Sequence, residues 1–213
     1  MDKYEAVANL LLEYMKMTGG EGKPQQQIPA GVSNRHVHLS QAELDTLFGS
    51  GYALTPMKEL SQPGQYACKE TVILCGPKGV IEKVRILGPV RSQTQVEILA
   101  GDCFKLGVRA EPRLSGDLAG TAGITLVGPK GSAQIQEGVV IAKRHIHMHP
   151  SDAAAFGVHD GQNVKIEIPG LRGGIFNEVS IRVTEASSLE FHLDTEEANA
   201  LGVTCQTLIR IVP

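Results

Sequence analysis

The chain contains no tryptophan, and only 4% of its 213 residues are aromatic. A core built on large rings between long packed helices is therefore excluded, and 24 glycines point instead to tight turns and small side chains. No apolar run approaches the roughly 18–20 residues that a membrane-spanning helix needs. The N-terminus lacks a basic segment followed by an apolar stretch and a small-residue cleavage site, so no secretory signal is expected. Cys68, Cys75, Cys103 and Cys205 form no CxxC pair and read as free thiols of a reducing cytoplasm. Charge of one sign is missing too. With 23 acids against 20 bases the net charge is −3, and no like-charge run suggests a nucleic-acid partner. A local basic pocket for a small phosphate remains compatible with that balance. The length allows one large domain or two small ones, each with a core.

What is present is repetition. In residues 1–18, "MDKYEAVANLLLEYMKMT", Tyr4, Val7, Ala8, Leu11 and Met15 recur at helical spacing. Asp2 with Glu5 resembles a capping box, and Gly19–Gly20 stop the helix. The polar stretch "EGKPQQQIPAG" then reads as a linker, so the helix is expected to be a docking tag on a tether. The remainder reads as short strands. "TVILCGPKGVIEKVRIL" and "GITLVGPKGSAQIQ" predict two hairpins around the same GPKG turn, and "QVEIL", "VKIEI", "EVSIRVT", "EFHLD" and "TLIRIV" predict further strands. "AELDTLFG", "GDCFKLGV", "DAAAFGV" and "EEANALGV" predict four short helices, each closed by a glycine able to take the left-handed C-cap conformation. The fold expected is mainly β: two similar small β-barrels capped by short α-helices, preceded by an amphipathic N-terminal helix on a linker. Strands do not alternate with long helices, which argues against a parallel α/β sheet.

The repeat that carries chemistry is "RHVHL" at Arg35–Leu39 and "RHIHM" at Arg144–Met148. In a strand, residues i and i+2 share a face about 6.5–7 Å apart. His36 and His38 therefore project together, as do His145 and His147, and each pair can converge on one cation. Two donors do not complete a site. His192 in "EFHLD" and Glu97 in "QVEIL" are the best additional candidates, because strand alternation sets each polar side chain opposite apolar neighbours. A mid-strand carboxylate is costly to bury unless paired or metal-bound. His149 and His159 read as surface residues near a helix cap. Arg91, after a Gly-Pro turn in "GPVRSQT", is suited to grip a phosphate through its bidentate guanidinium. Strand parity aims Arg35 and Arg144 away from the imidazoles.

"IPAGVSNRHVHLSQAELDTLFG", "GPVRSQTQVEIL" and "RHIHMHPSDAAAFGVHDGQ" closely resemble the phosphate propanoyltransferases of bacterial propanediol-utilisation microcompartments, a phosphotransacylase type, over Ile28 to Pro213. The resemblance implies interconversion of acyl-CoA (propionyl-CoA or acetyl-CoA) plus phosphate with acyl phosphate plus CoA, on two zinc ions per chain. It places one zinc on His36, His38 and Glu97 and the other on His145, His147 and His192, with Arg91 on the phosphate. It further implies that residues 21–34, linker and first strand, join the C-terminal barrel of residues 143–213. The central barrel with a short insert would then occupy 35–142, and residues 1–20 would be an encapsulation peptide addressing microcompartment proteins. No nucleic-acid or membrane partner is implied.

No GxSxG elbow is present and no cysteine has a histidine neighbour in sequence, so direct attack of phosphate on the thioester in a ternary complex is the expected mechanism. Two other readings compete. "HVHLSQAE" fits the HxH-x4-E pattern of a cupin metalloenzyme with Glu43 as third ligand, although "SQAELDTLFG" reads as a Ser-capped helix that would swing Glu43 away. A zinc-stabilised microcompartment scaffold protein would instead close each site with four protein ligands.

Overall fold

A computed structural model describes residues 26–213; the expected N-terminal helix, its Gly19–Gly20 stop and residues 21–25 of the linker lie outside the described residues, while the end of the expected linker, residues 28–31, is part of a strand. In chain order the elements are β1 Ile28–Ser33, β2 His36–His38, α1 Gln41–Phe48, β3 Pro56–Glu59, β4 Tyr66–Cys75, β5 Val80–Gly88, β6 Gln95–Ile98, α2 Ala100–Leu106, β7 Pro112–Arg113, β8 Ala122–Val127 and β9 Ser132–Ala142. They continue as β10 His145–Met148, α3 Pro150–Phe156, β11 Asn163–Ile168, β12 Gly174–Val183, β13 Glu190–Asp194, α4 Thr195–Leu201 and β14 Leu208–Val212. All the strands and short helices named from sequence are present, and the chain is mainly β, as expected.

These strands close into two six-stranded barrels. The first runs β2–β5–β4–β8–β9–β6, with β3 and β7 added beside β4 and β9. The second runs β10–β12–β11–β14–β1–β13. Position by position the pairings agree: β2 lies parallel to β5 and antiparallel to β6, and β10 lies parallel to β12 and antiparallel to β13. Each barrel has its own core, around Val37, Leu74, Ile86 and Leu126 in one and around Ile28, Ile146, Ile166 and Phe191 in the other. Burying each such side chain contributes about 1.5–3 kcal/mol.

The barrels exchange strands. β1 closes the second barrel, yet the chain passes from it directly into β2 of the first. β9 closes the first barrel and passes directly into β10 of the second. Both histidine strands therefore begin where the chain crosses between barrels. The arginine at each crossing is a strap. Arg35 Nε donates to Asp102 of α2 at 2.7 Å, and Arg144 pairs with Glu197 of α4 while donating to Asn177 O at 2.9 Å. Asp102 and Glu197 both sit at the third position of their helices, where a carboxylate also suits the helix dipole.

The two GPKG turns have the same job. Lys78 N donates to Leu106 O at the end of α2, and Lys130 N donates to Leu47 O at the end of α1, at 3.1 and 3.0 Å. Each hairpin tip thus satisfies a helix C-terminal carbonyl that has no intrahelical partner. Glycine is required by the close approach: a Cβ on Gly76 would lie 2.1 Å from Leu106 O, and one on Gly128 would lie 2.6 Å from Leu47 O. Three helices end on a left-handed glycine, Gly107, Gly157 and Gly202, as expected. Gly49 differs, with φ 109° and ψ 150°, because the chain turns extended there instead of tightening.

Candidate metal centre

β2 and β6 are buried on both faces. Val37, Val96 and Ile98 point into the first barrel's core, so period-two alternation turns His36, His38, Gln95 and Glu97 to the other side. There His36, His38 and Glu97 meet a cavity of about 520 Å³ that is also lined by His145, His147 and His192. In register, Glu97 lies opposite His36 and His192 lies opposite His145. The two third positions are thus equivalent in the two barrels.

The structure brings the expected side chains into two clusters, His36–His38–Glu97 and His145–His147–His192, each with its candidate ligand atoms within 4.8 Å of one another. In both clusters the first histidine is pinned from behind. His36 Nδ1 donates to Asn34 O and His145 Nδ1 donates to Lys143 O, both at 2.8 Å. That leaves Nε2 of each ring facing the cluster, in the manner of a ligating histidine oriented by a backbone carbonyl. His145 Nε2 lies 3.0 Å from His147 Nε2, and His36 Nε2 lies 3.3 Å from Glu97 Oε2.

Electrostatics favour neutral rings at most of these positions. Burial pushes His38 down to about 3, helped by the neighbouring His36 and Arg91 charges. It pushes His145 to about 4 and His147 to about 3, with the neighbouring imidazoles adding to the effect. Neutral imidazole with a free lone pair is the form that binds a divalent cation. His36 is the exception: burial opposes its charge, but the Glu97 carboxylate outweighs burial and raises its pKa. Glu97 is held well below the carboxylate range, because His36 overcomes the upward push of burial. His38 Nδ1 is buried with no hydrogen-bond partner. The unpartnered His38 Nδ1 in the cluster that holds the ionised Glu97, and the imidazole nitrogens 3.0 Å apart in the other cluster, make donor sets suited to a divalent cation.

Arg91 is positioned at the first cluster. Its backbone N donates to Leu39 O at 2.9 Å, its Nη2 donates to His38 Nε2 at 2.9 Å, and its Nη1 donates to Ser115 Oγ at 2.9 Å. Ser115 in turn accepts from Gln95 Nε2 at 3.0 Å. Glu43 stays apart. Its carboxylate accepts from Ser40 Oγ and, at 2.8 Å, from Thr94 Oγ1, so the cupin pattern does not converge. Ser40 stands at the N-cap of α1, but its hydroxyl serves Glu43 and makes no bond to the helix backbone. His159 is exposed; His149 caps α3, accepting from Ser151 N at 3.2 Å, and faces Glu185 at 3.1 Å.

Four residues of the site escaped the sequence reading. Gln95 and Glu190 each stand two residues before a third cluster member, and that spacing was the available signal. Ser115 comes from the loop after β7 and Arg182 from β12, opposite His147 in register; both line the cavity, and neither sits in a local motif. Cys68 is buried, with its thiol pushed up to about 11 by burial. No cysteine lines the cavity among the described residues.

Comparison with known proteins agrees over most of the chain. The phosphate propanoyltransferase family matches residues 29–204. The chain is 60% identical over 186 residues to the phosphate propanoyltransferase of Thermotoga maritima, covering 87% of this chain and 89% of that protein. It is 53% identical over 184 residues to that of Rhodobacter capsulatus, covering 86% of each. It is 45% identical over 204 residues to that of Clostridioides difficile, covering 96% and 98%.

Proposed function

The chain belongs to the phosphate propanoyltransferase family of acyltransferases, and from that premise we propose that it exchanges CoA for phosphate on a short acyl group at the cavity between its barrels. The reaction is acyl-CoA plus phosphate to acyl phosphate plus CoA, with propionyl-CoA or acetyl-CoA as the substrate. His36, His38 and Glu97 would hold one zinc ion, and His145, His147 and His192 the other. Bound zinc supplies Lewis acidity at the thioester carbonyl and affinity for a departing thiolate.

Arg91 binds the phosphate. Its guanidinium is held by Ser115 and His38, and burial works against its own charge, so a dianion is a favourable partner. A phosphate oxygen attacks the carbonyl carbon, the C–S bond breaks, and CoA leaves as the thiolate. Holding both reactants in one cavity contributes the orientation. Cys68 supplies no nucleophile, being buried in the barrel core with its thiol protonated. Ser115 Oγ already accepts from Arg91 and Gln95 and has no imidazole upon it. Direct transfer is the route these groups support. Residues 1–18 are given a docking role on their amphipathic pattern, and microcompartment proteins as its target on the family resemblance.

One observation carries this reading: two three-residue clusters and a hydrogen-bonded arginine face the same cavity. Its test is CoA release from an acyl-CoA series, with and without phosphate and with and without chelator. Release that needs both phosphate and metal is expected. Turnover surviving complete metal removal, or an acyl group transferred to the protein without phosphate, overturns it.

A further inference from the structure

The third member of each cluster is gripped by the residue two positions before it, with opposite polarity in the two barrels. Gln95 Nε2 donates to Glu97 Oε1 at 2.6 Å. The amide cannot be turned round, because Gly116 N donates to Gln95 Oε1 at 2.8 Å and leaves Nε2 for the carboxylate. With Oε1 engaged, Oε2 is the Glu97 oxygen that faces His36. In the other barrel Glu190 Oε2 accepts from His192 Nε2, from Ser61 Oγ and, at 3.4 Å, from Gln62 Nε2. An ionised carboxylate only accepts, so His192 Nε2 carries the proton and Nδ1 keeps the lone pair. Glycine makes the room: Gly31 lies opposite His192 in register, and a Cβ there would sit 2.8 Å from Glu190 Cδ and 3.0 Å from His192 Cδ2.

We infer that Gln95 and Glu190 are matched positioning residues, an amide donor orienting a carboxylate ligand and a carboxylate acceptor orienting an imidazole ligand. This rests on the reading of the clusters as cation sites. A lone carboxylate can offer either oxygen, and a lone imidazole either nitrogen after a ring flip. Each partner removes that ambiguity, and a carboxylate on the far ring nitrogen also raises the basicity of the ligating one. The polarity of the partner follows the ligand. Exchanging the partners would set carboxylate against carboxylate in the first barrel.

The test is metal retention, read without turnover. Cobalt-loaded protein is dialysed against graded chelator, ions per chain are counted, and the visible spectrum separates a three-histidine site from a two-histidine, one-carboxylate site. Glu190→Ala is expected to weaken the three-histidine site about 10- to 100-fold and to leave the other unchanged. Gln95→Ala is expected to do the reverse. Glu190→Gln, whose amide oxygen still accepts from His192, restores most of the retention. Metal-free melting curves monitor folding, and Gly31→Ala, which displaces Glu190 and His192 without deleting a polar group, replaces Glu190→Ala if that variant does not fold. Wild type holding two ions while the variants weaken both sites equally, weaken neither, or lose as much with glutamine as with alanine overturns the positioning roles and leaves the metal reading intact. Wild type holding no ion at either site overturns the metal reading itself.

Discussion

The barrel that carries His36 and His38 and the barrel that carries His145 and His147 share strand order, crossing point, arginine strap and carbonyl pin. Among the cluster residues they part at one position, Glu97 in the first and His192 in the second. A carboxylate brings a negative charge to its cluster and an imidazole brings none, so a divalent ion in the second site keeps more of its positive charge. Arg91 reaches His38 in the first barrel, whereas Arg182 lies opposite His147 in the second. A duplicated scaffold can thus offer two ions of unequal character to one substrate, with the difference confined to side chains on a few strand positions.

The sharpest way to break the comparison is to delete one ligand on each side. His36→Ala and His147→Ala are each expected to release one of two metal ions per chain. Turnover should fall beyond the roughly 100-fold that loss of an outer-shell partner costs, as read by metal counting beside the thiol-release assay. If only one of them matters for turnover, the sites are not both catalytic.

Arg91→Ala ranks next. A loss of about 100- to 1,000-fold in kcat, the scale for one transition-state charge contact, is expected together with a raised phosphate KM and no loss of metal. Release of an ion would mean that Arg91 supports His38 and leaves the phosphate to another group.

Stability variants then compare the repeats themselves. Gly76→Ala drives a Cβ towards Leu106 O at 2.1 Å and Gly128→Ala towards Leu47 O at 2.6 Å. Both are expected to cost about 1–3 kcal/mol, the scale of overpacking, and the first more than the second, by denaturant titration. The straps sharpen the comparison further. Arg35→Ala strips a partner from Asp102, whose side chain is 8% exposed, and Arg144→Ala strips one from Glu197, which is 24% exposed. Asp102 keeps its bond from Leu99 N at 3.0 Å, so about 1 kcal/mol is expected at the first strap, whereas Glu197 Oε2 is already buried without a partner and about 1–3 kcal/mol is expected at the second. Deleting residues 1–20 should be the smallest change in vitro: turnover unaltered, and co-purification with microcompartment proteins lost.

Much of this was legible locally. Strand alternation singled out Glu97 and His192 because a polar side chain between apolar ones must face something other than the barrel core. Glycines after short helical stretches marked the four helices of the described residues. Parity also sent Arg35 and Arg144 off the imidazole face; their guanidinium groups go to Asp102 and Glu197, although Arg35 still lines part of the cavity. Ser115 and Arg182 gave no local signal, since their roles depend on which loop or strand reaches the cavity.

The order of residues along the chain determined which side chains share a strand face, where the chain turns, and that each HxH needed a third donor. Those are properties of a two-residue period and of glycine, and they act over a few positions. Tertiary structure decided the rest: that β1 and β9 close each other's neighbouring barrels, and that this crossing turns two polar strand faces 109 residues apart onto one cavity. Pairing between distant strands is set by core packing and barrel closure, which no local period encodes.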